Sequence, residues 1–183
     1  MKFVISFIFL MIIFGITVIN GQDKKSENAV KTVSHVDLNK YVGLWYEIAK
    51  IPNSFQKRCK YGTTALYKLR SDGDIEVTNT CFDENGERVV ANGLAKVVDK
   101  TTNAKLEVSF VRVFGIYIFW GDYWIIGLGK DYEYAVVGTP NRKYGWILSR
   151  TPQLSKDKLD EVFNILKSNK YDINDFEMTV QNK

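Results

Sequence analysis

From Val42 onward the chain alternates short runs of Val, Ile, Tyr, Phe, Trp and Thr with clusters of Gly, Asp and Asn. The clusters recur at intervals of about ten residues, the rhythm of an antiparallel sandwich or barrel rather than of parallel βαβ units. The pattern predicts strands near 43–51, 60–70, 74–82, 88–98, 104–111, 121–129, 133–139 and 145–150. Between them stand turn formers such as Ser71-Asp72-Gly73, Asp83-Glu84-Asn85-Gly86 and Thr139-Pro140-Asn141, which supply turn geometry or cap backbone groups. Eight short-linked strands imply an all-β, eight-stranded up-and-down barrel that removes its sheet edges by closing on itself.

Alternation within strands separates two faces. Ala65, Tyr67 and Leu69 share one face of the second strand, opposite Thr64, Leu66 and Lys68; Leu106, Val108 and Phe110 alternate with Glu107, Ser109 and Val111. An eight-stranded barrel is just wide enough to be filled by side chains or to hold one small ligand. The mix of Ala65 beside Tyr67 fits a cup with room in it, against the alternative of a filled core. One segment breaks the period of two. After Ser155, the residues Leu159, Val162, Phe163, Ile165 and Leu166 fall at spacings of three and four. This predicts one amphipathic helix capped by Ser155, laid on the outside of the barrel, with a last strand near 173–180.

The start of the chain reads differently. Lys2 precedes an apolar stretch from Phe3 to Ile19, and Gly21 then leads into Gln22-Asp23-Lys24-Lys25. Charge, apolar middle and small residue make residues 1–21 a signal peptide cut after Gly21. The alternative is an uncleaved anchor, although a permanent span needs roughly 20 apolar residues. The destination is secreted or periplasmic, with association with the outer membrane as one form of it. No cysteine precedes Cys59, so the lipid attachment of a bacterial lipoprotein is not expected at the cut. Residues 22–34 are polar and aperiodic, and 22–36 are expected to be a flexible lead-in to a domain over 37–183.

Composition narrows the function. The net charge of +4 is spread along the chain with no dense Lys/Arg patch, which argues against a nucleic-acid partner. The one histidine, His35, lies upstream of the first strand with no nucleophile beside it, and one His with two distant Cys makes no zinc set. No cofactor or metal site is expected. Cys59 and Cys81, in a chain bound for an oxidising space, are expected to pair, against the alternative of two buried thiols. The register resists this. With Arg70 opposite Asp74, Thr63 falls opposite Cys81, and Cys59 lies four residues beyond, roughly 13 Å away at strand spacing. The bridge needs the chain before Thr63 to leave the ladder and fold back.

Three motifs then carry a resemblance. Gly43-Leu44-Trp45-Tyr46 opens the first strand, Asp131-Tyr132-Glu133-Tyr134 turns into the seventh, and Arg150 follows the eighth in Leu148-Ser149-Arg150-Thr151-Pro152. In this order and ahead of a helix they resemble the signatures of the lipocalin family, over roughly residues 37–181. The branch they resemble most is that of the bacterial lipocalins and apolipoprotein D. The resemblance implies a closed barrel end where Trp45 lies across the floor and the Arg150 guanidinium stacks on it. There Gly43 allows close backbone approach, and Asp131 and Tyr132 shape the neighbouring turn, Asp131 by holding it. It also implies a ligand cup lined by Ala65, Tyr67, Val77, Asn79, Val108, Phe110, Tyr123, Ile125, Trp146 and Leu148.

The open mouth would then be edged by 52–59, 83–87, 112–120 and 139–144. The 112–120 segment is far more apolar than a solvated loop, and exposed apolar patches mark interaction sites. It is expected to touch a membrane surface or a second copy, unless it extends the flanking strands or folds into the cup. The implied function is binding, storage or transport of a small hydrophobic ligand such as a fatty acid or lysophospholipid, in membrane lipid maintenance or stress response. The family resemblance also leaves two alternatives: an enzyme acting on a bound lipid, or an interaction module with a filled barrel.

Overall fold

The computed structural model describes residues 28–182; the signal peptide read at 1–21 lies outside them. In chain order the elements are a short helix α1 (Leu38–Tyr41) and strands β1 (Gly43–Lys50), β2 (Tyr61–Leu69), β3 (Ile75–Phe82), β4 (Arg88–Val97) and β5 (Lys105–Ser109). A small hairpin of β6 (Val111–Val113) and β7 (Ile116–Ile118) follows, then β8 (Gly121–Leu128), β9 (Tyr134–Gly138), β10 (Gly145–Ser149), helix α2 (Lys156–Ser168) and a terminal β11 (Glu177–Met178). β1 to β5 and β8 to β10 pair antiparallel with their neighbours, and β10 returns to β1 with Tyr46 opposite Ser149, closing the barrel.

The chain forms these strands because alternate residues have two different destinations. Inward, Ala65, Tyr67, Ile75, Val77, Leu106 and Leu148 are buried around the barrel interior. Outward, Ile126, Val136 and Ile147 are covered by α2, whose Val162 and Leu166 are fully buried against them. Burying each such aliphatic side chain contributes about 1.5–3 kcal/mol. Ser155 caps α2, its hydroxyl accepting from the Lys158 N–H at 3.4 Å.

Irregularities re-aim the pattern. A bulge between Glu47 and Ala49 turns Ile48 and Ala49 together towards the outer core and leaves Glu47 facing inward. β1 and β2 stay paired only from Gly43–Tyr67 to Tyr46–Thr64. Beyond that the C-terminal segment slots between them: Met178 lies opposite Ala49, Thr179 N–H donates to Ile48, and Gly62 N–H donates to Val180. The last strand expected over 173–180 is therefore shorter, a 3-10 turn (Ile173–Asp175) followed by β11.

Two further expectations change. The fifth strand stops at Ser109 instead of 111. The buried Ser109 hydroxyl bonds the carbonyl of Ile118 and accepts from Val111 N–H, which folds the chain out of the sheet and into the β6–β7 hairpin. The lead-in is not flexible over residues 30–36. Val30 and Val36 are buried, Val33 N–H donates to Ile125, and Val36 N–H donates to Thr102, so this stretch straps the barrel. The valines at a spacing of three supply apolar contacts that its polar neighbours disguise.

Candidate functional site

The barrel is shut at one end by a stack. Trp45 is completely buried, and its indole N–H donates to the Tyr41 carbonyl at 2.8 Å. The Arg150 guanidinium lies over the Trp45 ring, 3.6 Å from its centroid. It also donates to the carbonyls of Lys40, Tyr41, Val42 and Leu44 at 2.7–3.0 Å. Arg150 thus satisfies the carbonyls with which α1 turns into β1, which helical bonding leaves orphaned. Gly43 is required here twice over: its φ is +102°, and a Cβ would stand 3.3 Å from Arg150 Nη1. The neighbouring turn is not held by the Asp131 carboxylate. Its ties are the Glu133 carboxylate accepting from Asp131 N–H, Gly129 N–H donating to Tyr134, and the Tyr132 hydroxyl accepting from Asp37 N–H. Glu133 faces back into the turn and Asp131 is exposed, so the acidic role passes two residues along.

Above this floor lies a cavity of about 640 Å³ that opens at the other end, within the ~300–1,000 Å³ range of small-molecule sites. Ala65, Tyr67, Val77, Asn79, Val108, Phe110, Tyr123, Trp146 and Leu148 all face it. Ile125 does not. Its N–H donates to Ala104 and its carbonyl accepts from the Val33 strap, which sets it at the closed end, packed in the cluster that includes Trp45. Its parity is inward as expected, but its depth puts it below the cavity.

Polar groups on the wall form two sets. Near the mouth, the buried Glu47 carboxylate accepts from Gln56 Nε2 and Thr179 Oγ1, each at 2.7 Å, and pairs with Lys50 at 3.2 Å. Gln56 Oε1 in turn accepts from Asn53 and from the Trp146 indole. Deeper, Tyr123 OH meets Tyr41 OH at 2.7 Å and Tyr67 OH at 3.1 Å. Burial pushes all three phenols up, Tyr67 to about 12, so they remain neutral donors. Between the two sets Asn79 Oδ1 is buried with no hydrogen-bond partner. Tyr41 and Glu47 escaped the sequence reading. The signal was present in both: Glu47 shares the parity of Trp45, and Tyr41 stands one helical turn before it.

The mouth is tied by a disulfide between Cys59 and Cys81, with Cα atoms 5.4 Å apart. The fold-back it requires is built from a bulge. Tyr61 pairs with Phe82 and Thr64 with Thr80, so β2 spends one extra residue at Gly62, whose φ is +64°. Cys59 N–H then donates to Gln56 and Lys60 N–H to Phe82, turning Cys59 back over β3. On the other side, the β6–β7 hairpin turns through Phe114 and Gly115 with φ of +48° and +84°. Phe114 is wholly exposed, and Ile116 and Phe119 are exposed beside it. The hairpin contributes Val111 and Phe119 to the cavity rim. His35 is exposed on the strap, away from the cavity. Among the described residues no cluster of three or more His, Cys, Asp or Glu is placed to hold a metal.

The comparisons with known proteins agree with this architecture. The profile of the lipocalin-like domain matches residues 36–181. The chain is 40% identical to the outer membrane lipoprotein Blc of Vibrio cholerae over 148 residues, 80% of this chain and 83% of that protein. It is 38% identical to apolipoprotein D of Macaca fascicularis over 158 residues, 79% of this chain and 77% of that protein. Among solved structures it superposes on insecticyanin from the tobacco hornworm Manduca sexta with a TM-score of 0.68, at 26% identity, covering 84% of this chain and 85% of that one. With its barrel, its Trp45–Arg150 floor and these relatives, the chain belongs to the lipocalin family.

Proposed function

We propose that this protein binds, stores or carries a small hydrophobic ligand, of the fatty-acid or lysophospholipid class, without transforming it. The observation that carries this reading is the mainly apolar cavity of about 640 Å³, closed below by Trp45 and open above. A closed floor and one mouth suit a single elongated molecule, and Asn79 Oδ1 supplies an acceptor for a hydroxyl along its length. The described wall holds phenols, amides, threonine hydroxyls and two carboxylates, Glu47 and Asp122, rather than a nucleophile beside a histidine base, which favours binding over chemistry. Native mass spectrometry of lipids that co-purify with the protein, followed by displacement of a fluorescent fatty acid, tests it. The expected result is a bound lipid of that class displaced by free fatty acid. No displacement by any fatty acid, lysolipid or retinoid overturns the reading and leaves the filled-barrel interaction module in its place.

The β6–β7 hairpin is read as the surface that meets a lipid membrane, the source or destination of the ligand. A phenylalanine in the left-handed region at the tip of a two-residue turn is a costly choice where Asn is ordinary, and here it is wholly exposed. The mouth is also edged by exposed Lys57, Lys60 and Arg112, which suit an anionic bilayer, while Arg58 pairs with Asp83 at 3.7 Å. Membrane lipid maintenance or stress response is the setting this fits. The location proposed is secreted or periplasmic, reached through the leader at 1–21 and without lipidation near the cut.

A further inference from the structure

We propose that Tyr41, Tyr67 and Tyr123 form a polar subsite at the deep end of the cavity that takes a neutral oxygen at the buried tip of the ligand. This rests on the reading of the cavity as a lipid-binding site and adds which end of the lipid must be polar. The argument is a proton count. Each phenol carries one proton, and each hydroxyl–hydroxyl contact uses one. The trio makes two contacts, Tyr41 with Tyr123 and Tyr123 with Tyr67, so one of its three protons is unspent. The described residues offer these hydroxyls no further acceptor. All three side chains line the cavity, so that proton and the remaining lone pairs face the ligand space.

The surroundings favour a neutral tip over a charged one. A carboxylate carried to this depth loses its water and needs a cation. Arg150, the cation on the Trp45 ring, already gives its Nη1 and Nη2 groups to four backbone carbonyls. The mouth makes the opposite case: Glu47, Gln56 and the Trp146 indole are paired with one another and with Lys50 and Thr179. An ionised head at that end is left in water. The ligand that suits both ends is bipolar, with its charged head at the mouth and a hydroxyl, aldehyde or ketone at the far end of its chain.

A length series of saturated fatty acids and their ω-hydroxy counterparts, competing against cis-parinaric acid, tests this. At the length that reaches the trio, the wild-type protein binds the ω-hydroxy acid at least as tightly as the simple acid. The triple variant Tyr41→Phe, Tyr67→Phe, Tyr123→Phe removes donors and acceptors together while keeping shape, so little stability is lost. It lowers the preference for the ω-hydroxy acid over the simple acid of the same length by about tenfold, the loss of one buried hydrogen bond. If the wild type rejects the ω-hydroxy acid about tenfold at every length, or the variant weakens both series equally, the subsite is overturned while lipid binding stands. If neither series displaces the probe, the binding reading fails and the subsite with it. Should the variant not fold, the wild-type series alone decides.

Discussion

The two ends of the barrel are built to opposite rules. In the floor of the closed end the polar groups are spent on the protein itself: Arg150 serves four carbonyls and the Trp45 ring, and Trp45 serves Tyr41. At the mouth, large apolar side chains stand in solvent on the β6–β7 hairpin, and only the Cys59–Cys81 bridge ties the first loop covalently. Stability and function separate along this line. The floor is a packed joint whose residues fix the fold. The mouth carries exposed apolar surface, the surface proposed to meet a membrane.

The sharpest test of that separation is Trp45→Ala. It is expected to cost about 3–5 kcal/mol, as truncated core aromatics do, with ligand affinity of the folded fraction nearly unchanged; denaturant melts and displacement assays measure the two. Next is the disulfide, whose cysteines are 22 residues apart. Replacing both by Ala should cost about 3 kcal/mol in the chain-entropy model. Thiol titration of denatured, unreduced protein should find no free thiol, and two would refute the bridge. Arg150→Ala should cost about 2–3 kcal/mol, from the lost cation–π contact and carbonyls left without donors. If it left stability intact and abolished binding, Arg150 would be a ligand residue and the division of the barrel would collapse.

A smaller effect is set by pH. The Tyr67 phenol is held up to about 12 by burial, above its ordinary value near 10. The folded state therefore keeps this proton more tightly than the unfolded chain. That contribution is fully present below about pH 10 and is lost as pH rises towards about 12. Tyr67→Phe should flatten this part of the alkaline unfolding profile followed by circular dichroism. The smallest stability effect is expected at the hairpin tip. Phe114→Ser should change stability by no more than about 0.5 kcal/mol yet reduce sedimentation with anionic vesicles. Unchanged vesicle binding, or a shift in oligomeric state on mutation, would move this surface from membrane contact to self-association.

What the sequence determined by itself is whatever depends on neighbours along the chain. Alternation placed eight strands within a few residues of where they stand, because side-chain parity in a strand is a local property. The three motifs located Gly43, Trp45 and Arg150, since a planar ring, a stacking guanidinium and a left-handed glycine have few substitutes. Depth and partnership come from the folded barrel alone. Ile125 has the right parity and the wrong depth, because the Val33 strap and the Ala104 carbonyl hold it at the floor. Bulges at Gly62 and after Glu47 change which residues meet, bringing Cys59 to Cys81 and turning a carboxylate inward. The tyrosine trio joins α1, β2 and β8, far apart in the chain, and exists only because the barrel closes. Parity is fixed by covalent geometry, whereas depth and pairing depend on a register that every strand sets together.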